Sequence, residues 1–302
     1  MKAIYKIIAA FSVIIITITL TDLAFGKVAD YITRNKGLTK QNYLMSCHDK
    51  YEIIFVGSSR AHRHYDTPFI NDSLGIKTFN AGDDGRGLTY QCPELKAYLN
   101  RNTPKLVVLD LSPALDGKWN ERISMLYPLA NIFNEISDIA EKVEANNKFY
   151  LKSSLFRYNS NLITELSGLR HPFSAESTYG YNPVPVRLVP EEIFKQDKPR
   201  SYSHQIDSIE YNILIDLIKL CKNKRVNLVG VFSPIYGNIE RSHDIDSIFE
   251  AYNIPLIDNI TFRLPLKPNK YFNDATHLNE IGAREYTKHV IYQISDSLHL
   301  LN

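Results

Sequence analysis

Asp274 and His277 stand three residues apart in Asn273-Asp274-Ala275-Thr276-His277-Leu278-Asn279, and an apolar run near the other end of the chain closes on Gly57-Ser58-Ser59-Arg60. A serine hydroxyl is a poor nucleophile until an imidazole takes its proton. The imidazole in turn needs a carboxylate that holds its tautomer and stabilises its charged form. Acid, base and candidate nucleophile are thus present as Asp274, His277 and Ser59, provided the fold brings the two regions together. Asp-x-x-His alone is more often a solvated turn than a dyad; it gains weight here because Ser59 ends a strand-like run.

Other polar clusters say less. His62, His64 and Asp66 resemble part of a metal site, but no fourth ligand follows at a recognisable spacing, so no metal is expected and the cluster reads as a solvated loop beside the nucleophile. Arg60 is a candidate either to hold a substrate anion or to pair with Asp83 or Asp84. Tyr179 and Tyr181 could stack on sugar faces, yet 19 tyrosines are spread through the chain, which favours ordinary packing. Gly82-Asp83-Asp84-Gly85-Arg86-Gly87 lacks the Lys-Ser/Thr of a phosphate loop. The cysteines Cys47, Cys92 and Cys221 have no metal spacing; Cys221 falls in an apolar helical pattern, and a Cys47–Cys92 bridge stays open.

These residues need a scaffold, and the apolar patterning supplies one. Continuous apolar runs at Glu52 to Val56, Ile76 to Phe79, Leu106 to Leu109, Val226 to Phe232 and Pro255 to Ile257 predict strands buried on both faces of a parallel sheet. Helical patterns lie between them. Asp66-Thr67-Pro68 caps a short helix that Gly75 ends; Ile206 to Cys221 follows a 3.6-residue period; a last helix runs from about Glu280 to Leu298. The alternation predicts a three-layer α/β/α sandwich around a five-stranded parallel sheet with flavodoxin-like order, whose ligands sit outside the carboxyl ends of the strands. Ser59 lies at such an end. Roughly ninety residues separate the third and fourth strands, too many for a simple crossover, and an insertion at about 112–202 is expected as a cap or as packing. It carries helical stretches at Tyr127 to Glu144 and Lys148 to Leu166, then a Pro- and Tyr-rich segment from His171 to Pro199.

Residues 1–26 differ from the rest. Lys2 and Lys6 precede fourteen uncharged residues, Ile7 to Leu20, and apolar character resumes at Leu23 to Phe25 after Asp22. This predicts a signal sequence or a transmembrane anchor, with the uncleaved anchor preferred and the remaining chain placed outside the cytoplasm of a single-pass membrane protein. Lys27, Arg34, Lys36 and Lys40 follow it and weaken the charge argument for orientation. Residues 27–50 read as a stalk and 51–302 as the main domain. The rest of the composition is that of a globular protein, 44% hydrophobic and 23% charged with a net charge of +2, which points to neither nucleic-acid binding nor disorder.

With these residues in view, the chain resembles the SGNH (GDSL-type) hydrolases. Gly57-Ser58-Ser59 stands for that family's Gly-Asp-Ser block, so the resemblance gives the nucleophile role to Ser59, with Ser58 in place of the usual Asp. Phe79-Asn80-Ala81-Gly82-Asp83-Asp84-Gly85 matches the second block and implies an oxyanion hole of the Ser59 and Gly85 backbone N–H groups, with Gly82 as the weaker choice and Asn80 as a further contact. Asp274 to Gly282 matches the last block. The third block departs: its Gly-x-Asn-Asp is replaced by Asp110-Leu111-Ser112-Pro113, so no Asn is there to donate, and Ser112 is the available substitute. Losing one such donor typically costs about 3 kcal/mol of transition-state stabilisation.

The resemblance implies a membrane-anchored serine esterase or O-acyltransferase acting on an acylated envelope polysaccharide or glycan, without metal or organic cofactor. A membrane-bound O-acyltransferase is an implied partner. The other reading is a catalytically weak accessory protein that binds an acyl carrier or docks such a transferase.

Overall fold

The five apolar runs pair edge to edge as parallel strands. The structure is a computed structural model that describes residues 2–36, 39–46, 49–111, 152–158, 167–170, 172–187, 189–194, 200–202, 206, 208–237, 239–241, 243–262 and 268–298. The chain divides into two units, residues 1–47 with 126–173 and residues 48–125 with 174–302. In chain order the elements are α1 (Lys2–Lys36), α2 (Lys40–Ser46), β1 (Ile53–Gly57), α3 (Ser59–His64), α4 (Thr67–Leu74), β2 (Thr78–Asn80), α5 (Leu88–Arg101), β3 (Leu106–Asp110) and α6 (Ser154–Tyr158). There follow α7 (Ala175–Thr178), a 3-10 turn (Glu191–Phe194), β4 (Arg200–Tyr202), α8 (Ser208–Lys224), β5 (Asn227–Phe232), β6 (Ile239–Arg241), α9 (Asp244–Ala251), β7 (Leu256–Asp258), α10 (Pro268–Tyr271) and α11 (Glu280–Leu298).

In the larger unit the sheet order is β2-β1-β3-β5-β7, all parallel, with β4 and β6 paired separately. Side chains alternate across a strand, and here both sets are buried. Ile53, Phe55, Leu106, Val108, Val229 and Val231 pack with Ile70 of α4 and with Ala283, Tyr286 and Val290 of α11. Their neighbours Ile54, Val56, Val107 and Leu109 are equally buried and meet the layer of α5 and α8 on the opposite face. This is the expected three-layer sandwich. All five strand runs became strands, and the predicted cap of α4 forms: Asp66 Oδ1 accepts from the Phe69 N–H at 3.1 Å, and Gly75 ends the helix in the left-handed region.

The smaller unit is built on α1. It is 35 residues long, about 52 Å at 1.5 Å per residue, and is long and apolar enough over Lys2–Ile32 to cross a membrane. Asp22, which interrupts the apolar run, accepts hydrogen bonds from the Ser154 and Leu155 N–H groups at 3.0 and 2.8 Å and from the Ser153 hydroxyl at 2.8 Å. It therefore satisfies the open N-terminus of α6, one of the jobs of an N-terminal carboxylate. One and two turns further on, Phe25 and Ala29 pack against Tyr158, whose hydroxyl bonds to Asp30.

Parts of two expected segments lie among the described residues. The stretch 27–50, expected as a stalk, is largely helical, because α1 runs on to Lys36 and α2 follows. Of the insertion expected at 112–202, the described residues 152–158 and 167–170 group with the N-terminal helix, and 174–187, 189–194 and 200–202 with the sheet. Tyr127 to Glu144, most of Lys148 to Leu166, and Cys47 lie outside the described residues, so the open Cys47–Cys92 bridge lies there too.

Candidate active site

Everything at the site hangs from the carboxyl end of β1. The strand stops at Gly57, where an added Cβ would lie 2.6 Å from the Ala61 Cβ and 2.8 Å from the Asp110 Cβ, so only glycine lets α3 turn back this tightly against β3. Ser58 then takes the N-cap position and Ser59 opens the helix. The first intrahelical bond is His62 N–H to Ser58 O at 3.0 Å, which leaves the Ser59 N–H outside the helix's own bonding.

The candidate base comes from the loop before α11. His277 Nε2 lies 2.8 Å from Ser59 Oγ, and its Nδ1 lies 2.9 Å from Asp274 Oδ2. Asp274 also accepts from the backbone N–H groups of Thr276 (2.8 Å) and His277 (3.0 Å), an Asx turn that three-residue spacing makes local. Partial burial opposes ionisation of Asp274, but the hydrogen bonds from His277 and Thr276 outweigh it and hold the carboxyl well below the usual carboxylate range. It therefore stays anionic, and His277 keeps its Nδ1–H toward Asp274 and its Nε2 lone pair toward Ser59.

The rest of the motif builds the frame. Leu278 is fully buried in the core. Asn279 caps α11, its Oδ1 accepting from the N–H groups of Ile281 (3.1 Å) and Gly282 (3.0 Å). Gly282 is required because a Cβ there would lie 2.2 Å from the Tyr271 carbonyl oxygen. Asp-x-x-His-Leu-Asn with its following glycine is thus a loop, a core plug and a helix cap in one stretch.

The second block forms a turn beside α3. Gly82 N–H is bound to Asn80 Oδ1 at 2.9 Å. Gly85, at φ 69°, has no hydrogen bond on its N–H among the described residues. Asp83 N–H binds the Gly57 carbonyl at 3.0 Å, and Asp84 is gripped by Arg63 and by His62 Nδ1 at 3.1 Å, so the Gly85 turn is tied to β1 and to the helix that carries Ser59.

Several expected contacts are placed elsewhere. Arg60 is 4% exposed and pairs with Asp110 Oδ1 at 3.3 Å, not with Asp83 or Asp84; it also donates to the carbonyls of Leu111 and of Ser233 (3.0 Å). A buried guanidinium with these three acceptors is part of the scaffold rather than a free anion site. Asn80 is also committed internally, with its Nδ2 on the carbonyls of Ala61 (2.7 Å) and Tyr65 (3.1 Å), stapling β2 to α3. Tyr181 is buried in the core, in line with ordinary packing, and the stretch around it binds the sheet edge through Asn80 N–H to Tyr179 O at 2.8 Å. Ser112 lies outside the described residues. No group of three or more metal-ligating side chains forms among the described residues.

The sequence reading missed a buried network. Asp110, fully buried, accepts from Arg60 and from the Tyr65 hydroxyl at 2.6 Å; burial raises its carboxyl above the ordinary value against the pull of Arg60 and these hydrogen bonds. Its signals were a carboxylate closing an otherwise apolar strand and an arginine one residue after the candidate nucleophile.

Strand order, a serine after the first strand and an Asp-x-x-His loop before the last helix now stand together. This is the arrangement that the resemblance to the SGNH hydrolases implied. Among solved structures, this chain is similar to a Bacteroides fragilis protein assigned as an acylhydrolase, with 11% identity, 86% of this chain and 97% of that one covered, and a TM-score of 0.42. It is also similar to a two-domain esterase active on acetylated mannans (11% identity, 85% and 52% covered, TM-score 0.38). A third, described as a platelet activating factor from Streptococcus pneumonia, shows 12% identity, 88% and 95% coverage and a TM-score of 0.36. No protein-family profile and no curated protein matches the sequence.

Proposed function

We propose that the chain is a membrane-anchored SGNH-type serine esterase or O-acyltransferase acting on acylated cell-envelope carbohydrate. The observation that carries this reading is the unbroken contact line from Ser59 Oγ through His277 to Asp274. Its chemistry follows from the donors and acceptors. His277 Nε2 takes the hydroxyl proton as Ser59 Oγ bonds to the ester carbonyl carbon. The negative charge that develops on the carbonyl oxygen is met by the N–H groups of Ser59 and Gly85. His277 then gives its proton to the departing sugar oxygen as the ester bond breaks, leaving acyl-Ser59. Water or a second sugar hydroxyl, deprotonated by His277, attacks that acyl group and restores the serine. Asp274 stabilises the imidazolium in both halves. These steps use no metal or organic cofactor.

Retention of the anchor is supported by its contacts. Cleavage after the small residues Ala24 and Gly26 would remove Asp22, the acceptor for the Ser154 and Leu155 amides, and loss of such a cap typically costs about 1 kcal/mol. The envelope carbohydrate and a membrane-bound O-acyltransferase partner rest on the resemblance of the motif set to membrane-anchored SGNH proteins. The test is covalent labelling of the full-length protein in detergent with a fluorophosphonate probe. Labelling that depends on Ser59 is expected; a wild-type protein that stays unlabelled overturns the reading and leaves the accessory role.

A further inference from the structure

His64 shares a helix with Ser59. Six residues long, α3 carries Ser59 at its first position and His64 at its last, about 7.5 Å apart along the axis at 1.5 Å per residue. Ser59 meets His277, and His64 meets the very next residue of the facing loop: the Leu278 N–H donates to His64 Nε2 at 3.1 Å. Two consecutive residues of the loop are thus held by the two ends of one helix.

The polarity of the His64 contacts is fixed by elimination. A backbone N–H only donates, so Nε2 is the acceptor and the ring proton sits on Nδ1. Nδ1–H therefore donates to Ser233 Oγ, 3.1 Å away, and the Ser233 hydroxyl donates in turn to the Asp110 carboxylate. Asp110 takes its remaining bonds from Arg60 and Tyr65, and Arg60 holds the Ser233 carbonyl as well. Every hydrogen bond in this line points one way, from the Leu278 amide to a buried anion.

His64 and Asp110 are fully buried, so a metal or substrate has no access to this imidazole. Burial, reinforced by the Arg60 charge, also holds His64 neutral, with its pKa well below the ordinary histidine value. A charged His64 would turn a donor toward the Leu278 N–H and break the line.

We infer that His64 is a positioning residue: through the Leu278 amide it sets the His277 imidazole on the Ser59 hydroxyl, with Ser233 and Asp110 fixing its tautomer. The inference rests on the proposed roles of Ser59 and His277. His64 touches no reacting atom; it acts on the loop that does.

The test compares His64→Leu, which removes the acceptor, with His64→Gln, which restores one, in the full-length protein in detergent. For His64→Leu the maximal rate of Ser59 labelling by a fluorophosphonate should fall roughly 10- to 100-fold, the scale of a small misplacement of reacting groups, while the half-saturating probe concentration shifts less than about threefold. His64→Gln should recover most of that rate. Should His64→Leu not fold, Ser233→Ala carries the test, with a fall of about tenfold expected. A wild-type rate in folded His64→Leu, or in Ser233→Ala, overturns the inference, as does a Gln variant as slow as the Leu variant. Two spectroscopic readouts are independent of activity: hydrogen exchange at the Leu278 amide and the downfield Nδ1 proton resonance of His277. Both should be lost or broadened in His64→Leu, or in Ser233→Ala if that variant carries the test. If the wild type shows no Ser59-dependent labelling, the esterase reading falls on its own; unchanged exchange and resonance in the variant overturn the positioning role separately.

Discussion

Ser59 Oγ and His277 Nε2 lie 2.8 Å apart although 218 positions separate them in the chain. The contact exists because β1 and the α10–α11 loop end at the same edge of one parallel sheet, each stopped there by a local device. On one side the device is Gly57 and the turn into α3; on the other it is the Asp274 turn and the Asn279 cap. The proposed nucleophile and its proposed base are therefore presented by backbone geometry, and few side-chain torsions remain to be ordered when a substrate arrives.

Ser59→Ala should abolish covalent labelling by a fluorophosphonate, and Ser58→Ala should leave most of it. Ser58 occupies the N-cap without a side-chain capping bond, so its hydroxyl has no structural duty there. Loss of labelling in Ser58→Ala alone, with Ser59→Ala still reactive, would move the nucleophile by one position.

Asp274→Asn should keep the fold and slow the labelling step by on the order of 10⁴-fold, because an amide no longer enforces the Nδ1–H tautomer. The same carboxyl gives a pH signature. Its folded pKa is depressed, so its contribution to stability is complete above the unfolded value of about 4 and is lost as the pH falls below that. Urea unfolding should show the wild type losing its advantage over Asp274→Asn between pH 5 and pH 2; a constant gap would contradict the charged contact.

Arg60→Met tests the scaffold role. It leaves Asp110 buried and without its cation, a change that typically costs about 3–5 kcal/mol. A large fall in the urea midpoint is expected. An unchanged midpoint with a raised half-saturating substrate concentration would instead return Arg60 to substrate binding.

Hydrolysis of small esters such as p-nitrophenyl acetate should be slow, since Asp110-Leu111-Ser112 stands where the third-block Asn would donate, and a missing donor costs about 3 kcal/mol. A bound sugar acceptor adds positioning energy and displaces water from the acyl-enzyme, so transfer should compete with hydrolysis. Mass spectrometry of acceptor oligosaccharides incubated with an acyl donor reads the partition. Rapid release of free acid with no acylated sugar across several acceptors would make the protein a plain esterase.

The intact mass of the membrane-extracted protein should include residues 1–26, and protease added to spheroplasts should digest the sheet domain. A mass lacking those residues would show that the Asp22 contacts with Ser154 and Leu155 do not persist in the mature protein. Full protection would reverse the proposed topology.

Features that depend on neighbours in the chain were legible from the residues alone. The strand runs, the Asp66 cap of α4 and the Asp274–His277 turn are all set by interactions within a few positions, so periodicity and spacing disclose them. Long-range partners were not. Arg60 sits near Asp83 and Asp84 in sequence yet binds Asp110, because α3 folds its third-layer side chains toward the ends of β3 and β5, where burial penalises an unpaired charge far more than exposure does. Asn80, a contact that the resemblance implied, is a staple between β2 and α3. His64 reads as one of several loop histidines until the fold closes both of its ring nitrogens. The candidate reacting groups stand in local motifs. Only tertiary packing decided which polar side chains remained free to react and which were spent on holding the frame, because a buried polar group must bond to whatever the fold places beside it.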